Sequence, residues 1–148
     1  MQVTNPLGYL STTIFDSVGR VKATINPLGF RTTTVFDTAS QPVAQIDVNG
    51  KRITTTYDAI GRVQALTNGL GSISTTVFDA VGQELALIDA RGNRSSSTFD
   101  AAGRRTTRID ALGRITTAIY DAAGRQTQRH DPRNNVTTYS FDAAVRPI

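Results

Sequence analysis

The sequence predicts an all-β fold made of seven 21-residue β-hairpin repeats that form one curved, spiralling antiparallel sheet, an open segment of a larger array. An aromatic residue followed by Asp recurs every 21 residues, and a fixed period of this length indicates a repeat architecture. Two Asp/Asn-x-x-Gly segments occur in most repeats, and the residues between them alternate in polarity without a 3.6-residue stripe. The seven recurring aromatic residues are Phe15, Phe36, Tyr57, Phe78, Phe99, Tyr120 and Phe141.

The repeats are in phase along the whole chain. With Asn5 as position one, repeats start near residues 5, 26, 47, 68, 89, 110 and 131, and the aromatic residue is position eleven. Residues 1–148 therefore form a single predicted array with no separate second domain.

Each repeat is expected to contain two tight turns, because Asp or Asn starts β-turns and Gly accepts the positive φ that ends them. Ser40 and Val145 replace this Gly, and we expect the turns that contain them to be distorted or loose. The structural turn residues predicted after the aromatic are Asp16, Asp37, Asp58, Asp79, Asp100, Asp121 and Asp142, with Gly19, Gly61, Gly82, Gly103 and Gly124.

The odd period predicts an irregularity in every repeat. Two identical three-residue loops joined by regular strands would return each position after about 20 residues, so each aromatic would change face relative to the next. Aromatic residues that keep one face therefore require one β-bulge, or one loop of different length, in each repeat. A bulge adds twist, so we expect the sheet to curl.

The aromatic row has two interpretations. Rings can stack on sugars, but wall-binding modules that do so are rich in Trp, and this chain has none. The row is more typical of packing that stabilises neighbouring hairpins. Each turn brings only one carboxylate, so the Asp residues are interpreted as turn caps and not as calcium ligands. No catalytic residue, metal ligand or cofactor is predicted.

The charge is unevenly distributed. The net charge is +4, and nine of the 14 Arg residues lie between residues 91 and 133. This bias indicates solvated strand faces or an anion-binding surface. The candidates for anion binding are Arg91, Arg94, Arg104, Arg105, Arg108, Arg125 and Arg129. The aromatic residues are too sparse for a single-stranded nucleic-acid platform. No apolar run is long enough for a transmembrane helix, and no signal peptide is visible.

Residues 54–62 and 118–125 resemble the YD repeat of the RHS family, and Asp110–Gly113 resembles its partner turn. That family contains Rhs polymorphic toxins, the C components of toxin complexes, wall-associated proteins and the teneurins. The resemblance implies a sheet that spirals into a shell around a C-terminal cargo domain, and it implies secretion or display at a bacterial cell surface. Carbohydrate binding is a further property attributed to such repeats.

Two functions follow as hypotheses: a non-enzymatic shell segment that encloses or displays another domain, and a module that binds anionic glycans. The expected partners are flanking YD repeats and an effector domain for the first hypothesis and glycans for the second, and no nucleic acid is expected for either. The array has no cap at either end, which predicts a fragment of a larger shell that associates with itself through exposed sheet edges.

Overall fold

The computed structural model describes residues 1–142, Arg146 and Ile148. Fourteen strands form one antiparallel sheet in chain order, and the described residues contain no helix, which confirms the predicted fold class. Val145 lies outside the described residues. The strands are β1 (Gln2–Thr4), β2 (Leu10–Phe15), β3 (Val21–Ile25), β4 (Arg31–Phe36), β5 (Pro42–Ile46), β6 (Arg52–Tyr57), β7 (Val63–Thr67), β8 (Ile73–Phe78), β9 (Glu84–Ile88), β10 (Arg94–Phe99), β11 (Arg105–Ile109), β12 (Ile115–Tyr120), β13 (Gln126–His130) and β14 (Val136–Thr138).

The chain divides into two compact halves, residues 1–74 and 75–148. Within each half the strands pair with their neighbours in sequence, so every described contact between strands is local. The repeat is a hairpin joined to the next hairpin by a second tight turn.

Both turns of the repeat have the same backbone geometry. In the first, the Gly8 N–H donates to the Asn5 carbonyl at 2.9 Å and the Asn5 N–H donates to the Tyr9 carbonyl at 3.0 Å. Gly8 has a φ of 81°, a backbone conformation that is strained for a residue with a Cβ atom. This pattern is a type I turn followed by a left-handed residue, the usual three-residue hairpin loop.

The turn at Ser40 is not loose, so that prediction is wrong. Ser40 adopts a φ of 66°, and its N–H still donates to the Asp37 carbonyl at 3.2 Å. The Ser40 hydroxyl accepts a hydrogen bond from Arg20 Nη1 at 2.8 Å. This bond from the preceding repeat holds the residue in the left-handed conformation that Gly occupies elsewhere.

Gly61 and Gly71 provide a matched pair of turn glycines. Both have a positive φ, of 86° and 81°, but a Cβ at Gly61 would lie 2.8 Å from Gln41 Nε2, whereas one at Gly71 meets nothing within 4 Å. We expect Gly71→Ala to lower the free energy of unfolding by about 1 kcal/mol, because of backbone strain alone. Gly61→Ala should lower the free energy of unfolding by more than this, because the Gln41 side chain must also move. Urea denaturation of both variants measures the difference, and equal costs would contradict the proximity of Gln41.

The predicted irregularity is confirmed as a β-bulge beside the aromatic residue. Ile14 pairs with Ala23 but Phe15 pairs with Val21, so Lys22 is the extra residue. The same shift recurs in five later repeats, between the residue before the aromatic and the aromatic itself. Because the loops are alike, this one extra residue converts a period of 20 into 21 and keeps the aromatics on one face.

The opposite face carries a column of small residues at position nineteen. Ala23, Ala44 and Ala86 are 2%, 1% and 1% exposed, and each pairs with position ten across the hairpin. Position ten points away from the aromatic at position eleven, since adjacent strand residues face opposite sides. The sheet therefore has only a thin core, and much of its stabilisation must come from contacts between side chains within each face.

Candidate functional site

The aspartate at position twelve organises its own turn through both carboxylate oxygens. Asp100 Oδ1 accepts the N–H groups of Ala102 and Arg104 at 3.0 and 2.9 Å, and Asp100 Oδ2 accepts Arg104 Nε at 2.7 Å. Asp58 and Asp16 bind their turns and the arginine four residues later in the same way. One oxygen therefore caps the turn while the other orients the position-sixteen side chain.

That side chain also reaches into the next repeat. The Arg104 guanidinium lies over the Tyr120 ring, 4.9 Å from its centroid, and Arg104 Nη1 donates to the Asp121 carbonyl at 3.1 Å. Arg20 lies over Phe36 at 4.6 Å and Arg125 over Phe141 at 5.2 Å. We call this set of position-twelve Asp, position-sixteen Arg and the next repeat's aromatic residue the inter-repeat clasp.

The clasp bridges aromatic rings that are too far apart to contact each other. Aromatic residues of consecutive repeats stand two strands apart, about 10 Å, which is more than the separation at which rings contact each other. An intervening guanidinium fills this space and attracts the ring face. At the three junctions described above, a guanidinium therefore stands between the rings of consecutive repeats.

Two variations occur within the row. Gln41 replaces Arg at position sixteen, and its Nε2 donates to the Gly61 carbonyl at 3.4 Å. Where the aromatic is Tyr, its hydroxyl donates to the carbonyl of the preceding repeat's bulge: Tyr57 to Pro42 and Tyr120 to Arg105, both at 3.1 Å. The Tyr hydroxyl thus adds a second bond between repeats that Phe cannot form.

The predicted turn aspartates and glycines lie in the turns that carry the clasp. The sequence interpretation gave position sixteen no structural role and considered only Arg104 and Arg125 there, as anion-binding candidates. The signal was present, because Arg or Gln follows each of these aspartates by four residues. Spacing along the chain does not show that the same side chain stacks on a ring 16 residues further on. That contact depends on the location of the bulge.

The clasp holds its carboxylates in the ionised state. Backbone N–H bonds from Arg62 and Arg104, followed by their side-chain bonds, lower the pKa of Asp58 and of Asp100 below the ordinary 3.8. A lowered pKa in the folded chain means that the turn contributes its full stability above the unfolded pKa. This contribution is lost as the pH falls through the folded pKa.

We therefore expect the melting temperature to be constant between pH 7 and 5 and to decrease progressively below about pH 4. Thermal melts followed by circular dichroism across this range measure the effect. The variant Asp58→Asn/Asp100→Asn should show a smaller decrease, because an amide does not titrate there. Equal melting temperatures at pH 7 and 2.5 would contradict the assignment.

Three arginines form a second feature, on the aromatic face of the C-terminal half. Arg108 pairs with Thr116 and Arg129 pairs with Ala118, so both share the face of Tyr120 on β12. With Arg105 they line an open concavity of about 290 Å³. All three are exposed, and none forms an ion pair within the part of the chain that the structure describes. We call Arg105, Arg108 and Arg129 the arginine face.

The structure separates the other four arginine candidates from this face. Arg104 and Arg125 belong to the clasp, where Asp100 and Asp121 neutralise them. Arg91 lies at the exposed tip of a position-one turn, and Arg94 is the exposed first residue of β10. In residues 1–142 and at Arg146 and Ile148, no three His, Asp or Glu residues are grouped to hold a metal ion, and no helix could cross a membrane.

The sequence matches a known protein family in the second half of the chain. The RHS Repeat model matches residues 78–117 and 120–148. No curated protein matches the chain.

The chain was also compared with solved structures. A crystal structure of TcdB2-TccC3 without its hypervariable C-terminal region has 18% sequence identity and a TM-score of 0.51, over 94% of this chain and 10% of the other. A crystal structure of TcdB2-TccC3 has 15% identity over 99% of this chain and 12% of the other, with a TM-score of 0.42. The chain thus spans about a tenth of the length of the chains that it matches.

The likeness to the first of these structures supports the sheet architecture. The family match covers repeats in the second half of the chain, and the same 21-residue pattern continues through the first half. The chain is an array of β-hairpin repeats, and its second half, residues 78–117 and 120–148, belongs to the RHS Repeat family.

Proposed function

We propose that this array is a non-enzymatic wall segment of an RHS-type shell that encloses or displays another domain. The inter-repeat clasp is the observation that carries the proposal. It joins the first repeat to the second, the fifth to the sixth and the sixth to the seventh through a guanidinium stacked on a ring, as an extended wall requires, and its carboxylates are engaged in turns. One bulge in each of the first six repeats, always beside the aromatic, adds twist in the same sense and favours a curled sheet.

The partners in this proposal are flanking YD repeats and an effector domain. This chain covers 10% of the TcdB2-TccC3 chain whose architecture it shares, which leaves room in the proposal for flanking repeats on either side. A role in toxin delivery or cell-surface interaction follows from the proposal, together with export to the outside of a bacterial cell. Self-association of the isolated array through exposed sheet edges is also part of it.

Protease protection tests this function. The protein is purified from its source with an antibody against the repeats, and any domain attached to them is identified by mass spectrometry. We expect that domain to resist limited proteolysis until the array is opened by Tyr120→Ala, which removes a ring from the clasp. An attached domain that is degraded equally fast with the intact and the altered array would overturn an enclosing role.

A second candidate function is recognition of an anionic glycan, and the arginine face favours it. Three exposed guanidinium groups concentrate positive charge beside Tyr120, and none of them forms an ion pair with a described carboxylate, although Glu84 lies near Arg105 and Arg108. Arginine pairs well with sulfate and carboxylate groups because its donors form a planar fork.

Heparin chromatography distinguishes this candidate. We expect retention at low salt that falls steeply at moderate salt, and an earlier elution when Arg105, Arg108 and Arg129 are replaced by Gln. The control Arg91→Gln/Arg94→Gln/Arg133→Gln removes the same charge from other parts of the surface and should elute later than the first variant. No retention at low salt, or identical elution of the two variants, would exclude a glycan site at the arginine face.

A further inference from the structure

The first two position-one turns carry apolar side chains that are exposed to solvent. Leu7 and Leu28 at the turn tips are 80% and 76% exposed, and Tyr9 and Phe30 beside them are 55% and 50% exposed. Neither Asn5–Tyr9 nor Asn26–Phe30 contains a charged residue. We call Leu7, Tyr9, Leu28 and Phe30 the apolar turn edge.

Topology places these four residues side by side. The two turns lie at the same end of the hairpins in the N-terminal half, separated by β2 and β3. Two strands span about 10 Å, so side chains of this size can form one continuous surface. Its area is roughly 400 Å², within the range of the largest apolar patches on monomeric proteins, which often bind partners.

The turn itself does not require a leucine at its tip. Leu7 and Leu28 donate their N–H groups to the Asn5 and Asn26 side chains at 3.0 Å. Asn49 occupies the equivalent position of the third repeat and donates to Asp47 at 2.8 Å in the same turn. A polar side chain therefore fits the same geometry, and the exposed leucines contribute nothing to it that asparagine would not.

We propose that the apolar turn edge is a contact surface for a second copy of this chain, with the same edge of the two copies facing each other. A patch without charges can meet its own copy without repulsion, which symmetric pairing requires. Its area is about half of the roughly 800 Å² that each partner contributes to a standard stable interface. The contact is therefore weak and reversible, and it is separate from pairing through the terminal strands β1 and β14.

Sedimentation equilibrium of the full chain over a concentration series tests the proposal. We expect reversible dimers at high concentration, and at least a tenfold weaker association in Leu7→Asn/Leu28→Asn. The matched control Leu112→Asn changes a tip of similar exposure that is flanked by the Asp110–Arg114 ion pair, and it should leave association unchanged. Raising the salt concentration should not weaken an apolar contact.

Two further variants keep the result decisive. Val3→Lys/Val136→Lys adds a charge to each terminal strand, which weakens any pairing through the sheet edges, and the dimer formed through the apolar turn edge should remain in this variant. The chain contains no Cys, so Leu28→Cys should form a disulfide-linked dimer under mild oxidation faster than Leu112→Cys. The proposal is overturned if the wild-type chain stays monomeric, if only the lysine variant loses association, or if the two cysteine variants cross-link at equal rates. Circular dichroism verifies that each variant retains its strands.

Discussion

Tyr120→Ala is expected to destabilise the C-terminal half by about 2–3 kcal/mol, because it removes a half-buried ring together with its stacking on Arg104. It also removes the hydroxyl that donates to the Arg105 carbonyl. In a sheet with a thin core, this ring is a large part of the contact between two repeats.

Tyr120→Phe separates the two contributions. It retains the ring and the stacking and loses only the hydrogen bond to the Arg105 carbonyl, so we expect the free energy of unfolding to decrease by about 1 kcal/mol. Hydrogen exchange of amides in β11–β13 and urea denaturation measure both variants. Equal costs for Ala and Phe would assign the whole effect to the hydroxyl and would contradict a role for the ring in the clasp.

Asp100→Ala is the second large effect that we expect. It removes the acceptor for the Ala102 and Arg104 N–H groups and releases the Arg104 guanidinium. Because one substitution disrupts both the turn and the clasp, we expect the melting temperature to decrease by about 5 °C or more.

Asp100→Asn provides the matched comparison. Asn26 and Asn68 cap position-one turns with a side-chain oxygen in the same way, so the amide should preserve the turn and weaken only the contact with Arg104. We expect a decrease smaller than that of alanine. A larger decrease in melting temperature for Asp100→Asn than for Asp100→Ala would contradict the assignment of the turn to one carboxylate oxygen and of Arg104 to the other.

The features that the sequence predicts well are those set by neighbouring residues. Asp and Gly at a spacing of three fix the turns. The parity of the 21-residue period requires a bulge or a loop of different length, because identical loops joined by regular strands could not keep Phe15 and Phe36 on one face. Both inferences need only local geometry. The bulge could not be assigned to a strand from parity alone, since an extra residue anywhere in the hairpin restores the phase.

The inter-repeat clasp was harder to predict from the sequence. Arg104 lies four residues after Asp100 in the sequence, but its stacking on Tyr120 depends on the pairing of β11 with β12 and on where the bulge falls. The Ser40 turn shows the same limit, since Ser is a poor residue for positive φ until Arg20 of the preceding repeat binds its hydroxyl. In both cases the deciding contact comes from an adjacent repeat.

The account requires that consecutive repeats be coupled through the clasp, and a double-mutant cycle between Arg104→Ala and Tyr120→Ala measures this most directly. We expect a coupling of about 1 kcal/mol in urea denaturation. The control cycle pairs Tyr120→Ala with Arg114→Ala, which removes an arginine with an equivalent bond to Asp110 at the opposite end of β12. That cycle should show no coupling. Additive effects of Arg104→Ala and Tyr120→Ala would contradict the clasp.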